Sequence, residues 1–191
     1  DFFVAEPLLT MVRFGDHEGL LAEPRPPRRY PVFTGLWLHA RGMALAATGR
    51  LAEAHAAHTE LAQLAADISP DIAAGNNKAR DVLAVAAKVL AARIAETEGD
   101  AEALAMWSDA VKLADTLAYS EPADWFYPVR HYQGAALIKA GHYADAERVY
   151  LEDLERNPIN GWALFGLAQA LRGQGKDNAA KWSEDAFKKA W

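Results

Sequence analysis

The chain of 191 residues contains no cysteine. Disulfides, thiolate metal sites and cysteine nucleophiles are therefore excluded. No stretch approaches the roughly 18 consecutive apolar residues of a membrane helix, so insertion in a membrane is not expected. No segment alternates apolar and polar residues for long, so essentially no sheet is expected. Positive charge is in short supply: 20 Lys and Arg stand against 26 Asp and Glu, a formal charge of −6. Phosphate binding needs a basic field, so nucleic acid is not the expected partner. The one dense basic cluster, Arg25, Arg28 and Arg29, is interrupted by prolines and reads as a solvated linker. Short catalytic motifs are missing too: there is no GxSxG, HExxH, Walker loop or GxGxxG. The adjacent carboxylates Glu152/Asp153 and Glu184/Asp185 diverge around a helix and do not form a catalytic pair. These absences predict a protein that is not an enzyme and carries no cofactor.

What is present is a globular composition, 51% hydrophobic and 24% charged, of a size that suits one domain. The first residues, Asp1-Phe2-Phe3-Val4, hold neither an initiator Met nor a basic segment and read as a cut edge. Lack of cysteine does not identify the compartment; a soluble protein, cytoplasmic in preference to periplasmic, is the expectation.

Helical signals follow one another along the chain. Residues 4–14 read as a short helix ended by Gly15, and Asp16 caps another over 17–22. Glu23 to Pro31 holds four prolines in nine residues and reads as an extended connector within 23–33. Helices are then expected over 32–49 and 51–66, followed by a longer loop at 67–77. Further helices are expected over 78–98 and 101–119. Ser120-Glu121-Pro122 resembles a helix start, predicting a helix over 124–140. Helices over 143–156 and 161–172 follow, the latter capped by Asn160, and a last one runs to the end, capped by Asp177. Paired up, these give a partial helix pair at 1–22 and full pairs at 34–66, 78–119, 120–158 and 159–191.

The spacing of small residues repeats. Gly134, Gly141 and Ala146 are separated by seven and then five residues, and so are Gly42, Gly49, Ala54 and Ala168, Gly175, Ala180. Small residues are expected where two helices cross, and glycine where a tight turn needs a positive φ. Fixed self-similarity over helical segments predicts an all-α, right-handed α-solenoid of about four to five antiparallel pairs within one domain. It is irregular: the middle unit keeps Gly99 but has Ala103 one residue early, and Glu184 stands where Tyr150 stood.

Gly134, Gly141, Ala146, Tyr150 and Pro158 are signature positions of the tetratricopeptide repeat, and the chain resembles that family over about residues 35–66 and 80–191. The stretch from Glu121 to Trp162 also resembles the C-terminal part of longer bacterial proteins built from these repeats. The resemblance implies a scaffold that binds a protein or peptide segment in a concave groove lined by the first helix of each pair. On that geometry His39 (with Leu36 and Met43), Arg93 (with Val89), His131, Trp162, Phe165, Gln169 and Arg172 face the groove. Trp125 and Arg130, in the aromatic-rich run from Trp125 through Phe126 and Tyr127 to His131, complete the expected site. The structural alternative for that run is a buried ion pair and an aromatic wedge. Some members of the family clamp a carboxylate with Lys and Asn; the matching positions here hold His131, Ala135, Phe165 and Gln169, so that clamp is missing.

Two other readings remain open. His55 and His58, three apart on one helix, are weak candidates for a shared metal, with His39 and Glu60 near; packing explains them as well. A small molecule or metal inside the superhelix is the alternative function. Trp182 and Trp191 near the end of the chain point to self-association as a third.

Overall fold

The computed structural model describes residues 2–125 and 127–191. Phe126, expected within the aromatic-rich run, and Asp1 lie outside the described residues. The chain forms two compact units, residues 1–126 and 127–191.

The first unit opens with a 3-10 turn at Phe3–Ala5, then α1 (Glu6–Phe14) and α2 (His17–Ala22). Gly15 ends α1 at φ 72°, and the Asp16 carboxylate accepts from the Gly19 N–H at 3.0 Å, as the sequence predicts. The connector ends at Tyr30, because Pro31 opens α3 (Pro31–Ala47), its fixed φ suiting a first helical position. A helix apolar on every side has to be buried. Accordingly α3 packs against α1, α2, α4 (Leu51–Asp67) and α5 (Ala79–Glu98). Its single charged residue, Arg41, donates to the Leu21 carbonyl at 3.0 Å and lies over the Trp37 ring.

Gly35 and Gly42 of α3 seat Leu83 and Leu90 of α5, where a Cβ on either glycine would overlap the leucine. Gly42 thus marks a close approach between the first helices of two successive pairs, not the crossing inside its own pair that its spacing suggests. Between α4 and α5 the chain makes a small antiparallel hairpin, β1 (Ala73–Ala74) with β2 (Asn77–Lys78). This is the only sheet among the described residues.

The next helix, α6 (Ala103–Ala114), stops short of the expected Tyr119. Asn77 accounts for this: its side chain accepts from the Ala118 N–H at 2.7 Å and donates to the Ala118 carbonyl at 3.2 Å. Those tertiary bonds replace the next helical ones. Nor does a helix begin near Asp124. The Asp124 carboxylate is buried, accepting from the Asn76 N–H (2.8 Å), the Asn77 amide (2.7 Å) and the Ser120 hydroxyl (2.9 Å). Ser120 therefore holds a loop together and caps no helix.

In the second unit α7 runs over Val129–Lys139, with Pro128 at its N-cap. A helix from Asp124 would place Pro128 inside it, where the ring clashes and the N–H is missing. Then follow α8 (Tyr143–Arg156), α9 (Gly161–Gly173) and α10 (Asp177–Ala190). The Asn160 side chain caps α9 through the Ala163 N–H at 3.2 Å. Asp177 is the first residue of α10 and not its cap; its carboxylate takes Arg172 at 3.0 Å. Consecutive helices pack on one another, and α7 also packs on α9. Tyr150 of α8 is wedged between Gly134 of α7 and Gly166 of α9. The turn glycines Gly49, Gly99, Gly141 and Gly175 have φ of 75°, 75°, 80° and 72°, as their positions require.

Candidate functional site

Within the first unit α4 and α6 each pack on α5 and form two walls with α5 as the floor. The result is an open groove of about 610 Å³. Alanine is the commonest residue of its lining: Ala62, Ala65 and Ala66 from α4, and Ala84, Ala87 and Ala91 from α5. Met106 and Leu113 of α6 supply the larger apolar surfaces. Alanine is the strongest helix former, so α4 and α5 use it freely. At intervals of three and four residues the same alanines share one helix face and leave a trough. The volume falls in the range of ligand sites, roughly 300–1,000 Å³.

Charged and polar side chains border this trough: His58, Arg80, Asp81, Lys88 and Asp109. Arg80 donates to the Ile68 carbonyl at 3.2 Å, while its Nε is buried with no acceptor among the described residues. A buried donor left unmade costs about 1–3 kcal/mol. Asp109 is held by Lys112 at 2.9 Å. Among the described residues no carboxylate lies within ion-pairing distance of Lys88 or Arg80. His58 is half-buried, and burial lowers its pKa, with lesser contributions from His55 and Lys88.

A second exposed surface lies on α9 and α10. Trp162, Phe165, Gln169 and Arg172 follow one another at i, i+3, i+7 and i+10 along the exposed face of α9. Trp162 is 39% and Phe165 47% exposed. Just past α10, Trp191 stands edge-on to Trp162 at 5.9 Å, and Phe187 of α10 lies 5.6 Å from Phe165. Arg172 ends this row, bound to Glu184 at 2.9 Å and to Asp177. The structure thus brings together the four α9 residues that the sequence placed on one face.

The remaining expected groove residues lie elsewhere. His39 is fully buried, its Nδ1 2.9 Å from the Ala86 carbonyl and its ring edge-on to Trp125 at 5.2 Å. Burial lowers its pKa to about 4, against a smaller opposing effect of the Ala86 carbonyl. Leu36, Met43 and Val89 are core residues as well. The reason is the packing of α1, α2 and α5 on α3, which the repeat spacing does not announce. Arg93 pairs with Glu96 at 3.1 Å and lies over Trp107, whose indole N–H also reaches Glu96. His131 and Asp153 form a buried pair at 2.9 Å, with Asn157 donating to the second Asp153 oxygen. Arg130, nearly buried, reaches Glu152 at 3.5 Å. The His131–Asp153 contact is a buried polar pair, whereas Glu152 of the second contact is open to solvent.

Of the two metal candidates, His55 pairs with Glu98 at 2.8 Å and His58 borders the groove. Glu60 is bound to Arg25 and His39 is core, so neither joins them. Among the described residues no group of three His, Cys, Asp or Glu side chains is placed to hold a metal ion.

The architecture and its exposed surfaces define the chain as an all-helical protein with an alanine-lined groove. No protein-family model, curated protein or solved structure matches it.

Proposed function

We propose that the chain is a scaffold of the α-solenoid type, built from right-handed, antiparallel helix pairs like those of tetratricopeptide proteins, and that it binds a segment of another protein without catalysing a reaction. Sequential helix packing and the positive-φ turn glycines support the repeat reading. The observation that carries the function is the open, alanine-lined groove over α5. It moves the expected binding surface from the first-helix face to the trough between α4 and α6. His39, Leu36 and Met43 leave no groove on α3.

The test is a selection of displayed peptides on the intact chain, repeated with Ala62→Trp, which fills the trough. Peptides that bind the natural chain and are lost with Ala62→Trp support this reading. Failure to select any binder, or binders indifferent to Ala62→Trp, contradicts it.

A second reading rests on α10 and the residue that follows it, where Trp182 is 67% and Trp191 68% exposed. Large apolar side chains left in water favour self-association through this end of the chain. A dimer in light scattering that Trp182→Glu disperses supports it, and a monomer at high concentration contradicts it.

A further inference from the structure

The groove's rim carries a charge pattern that says more about its occupant. Over residues 1–126, eighteen acidic residues stand against eleven basic ones. The trough departs from that acidic background. Arg80 and Lys88 both border it, and among the described residues neither makes an ion pair as close as 4 Å; Arg80 donates to the Ile68 carbonyl. Asp109, also on the lining, pairs with Lys112 and feels Lys88 at longer range. Asp81 lies next to Arg80 at one end of the trough, and Lys88 stands about two turns further along α5.

The dimensions suit a helix. Arg80 and Lys88 are eight residues apart on α5, about 12 Å along its axis. The floor from Arg80 to Ala91 is about 16 Å long, or three helical turns. Helix axes pack at roughly 8–10 Å when the side chains between them are small, and alanine provides that here. The trough is open along its outer side, so an occupant can bury one face and keep the other in water. A single amphipathic helix does this, presenting anchors at i, i+3, i+4 and i+7.

We infer that the occupant of the α4–α5–α6 groove is one amphipathic helix of a partner protein, carrying two acidic residues seven or eight apart that pair with Arg80 and Lys88. Small or aliphatic residues between them lie on Ala84, Ala87 and Ala91 and against Met106 and Leu113. This inference rests on the reading of the groove as a protein-docking site.

The probe is a designed, side-chain-stapled helix of about three turns with an Ala/Leu face and two Glu seven residues apart. A Lys-for-Glu version serves as its counterpart, and both are titrated against the 191-residue chain by fluorescence anisotropy. The Glu helix should bind at least about tenfold more tightly than the Lys helix, a difference of about 1.4 kcal/mol. Arg80→Glu combined with Lys88→Glu should reverse that preference. Ala62→Trp or Ala91→Trp, each confirmed folded by circular dichroism, should abolish binding of the Glu helix. Equal binding of both helices, lost with the Trp variants, overturns the charge pattern and leaves the groove as a docking site. Binding unchanged by both Trp variants overturns the groove reading itself. Saturable binding of dodecanoate but of neither helix identifies a small apolar carboxylate and overturns the inference. So does self-association of the chain that Ala62→Trp disperses.

Discussion

The two units use equivalent glycines, Gly42 and Gly134, to different ends. In the first, Gly42 and Gly35 let two first helices, α3 and α5, approach, with Leu90 and Leu83 filling the space. In the second, Gly134 and Gly166 admit one large ring, Tyr150, from the second helix α8. The exposed surfaces differ in parallel. The first unit offers a trough of alanines with a charged rim, and the second a row of exposed aromatic rings. An equivalent glycine therefore marks where the backbone can come close, and leaves open which side chain exploits it. That is decided by the bulky residues of neighbouring helices.

The comparison can be broken most severely at Tyr150. Replacing it by alanine empties the space between Gly134 and Gly166, and the expected loss is about 3–5 kcal/mol in urea unfolding. A loss below about 1 kcal/mol would show that the wedge is not what holds α7 to α9. The next effect belongs to the first unit alone. His39 is neutral in the folded chain because burial lowers its pKa from 6.5 to about 4. The unfolded chain binds that proton more readily, so this contribution to stability is complete above pH 6.5 and is lost as the pH falls toward 4. About 3 kcal/mol is at stake by the lower end. His39→Gln should flatten the stability–pH curve in this window, and an unchanged slope would refute the assignment.

Smaller still is the cost of adding one methyl at each seat. Gly134→Ala forces the Tyr150 ring, whereas Gly42→Ala meets the end of the Leu90 side chain. Both should lose about 1–3 kcal/mol, with the ring giving way less easily than the leucine. A larger loss at Gly42 would invert the contrast between the units. The mildest change is Gly141→Ala, at a turn with φ 80° and no neighbour for a Cβ to meet. Only backbone strain is added, about 1 kcal/mol, read as a shift in the urea midpoint.

Elements governed by local chemistry were legible in the sequence. Helix α8 ends where Asn157-Pro158 stops it, α9 begins at its Asn160 cap, and the turn glycines take up the φ that their positions demand. Elements governed by distant contacts were not. The chain after α6 is held by Asn77, some forty residues upstream, and the loop around Asp124 by Asn76, whereas the start of α7 at Val129 follows from the local signal of Pro128. The candidate site divides along the same line. Trp162, Phe165, Gln169 and Arg172 share one face of a single helix, so periodicity alone groups them. The groove needs three helices to be placed before it exists. Its alanines look in sequence like ordinary helix formers, and only their recurrence at 62, 65, 66 and 84, 87, 91 hints at a trough.

Selective labelling of alanine methyl groups gives the most direct view of the central claim, since alanines floor the groove. Titrating the chain with the stapled Glu helix and following those methyl resonances by NMR reports the docking site. The account predicts saturable shifts at Ala62, Ala84, Ala87 and Ala91, all tracing one binding curve. Shifts confined to α9 and α10 around Trp162 and Phe165, with the α5 alanines unmoved, would contradict it.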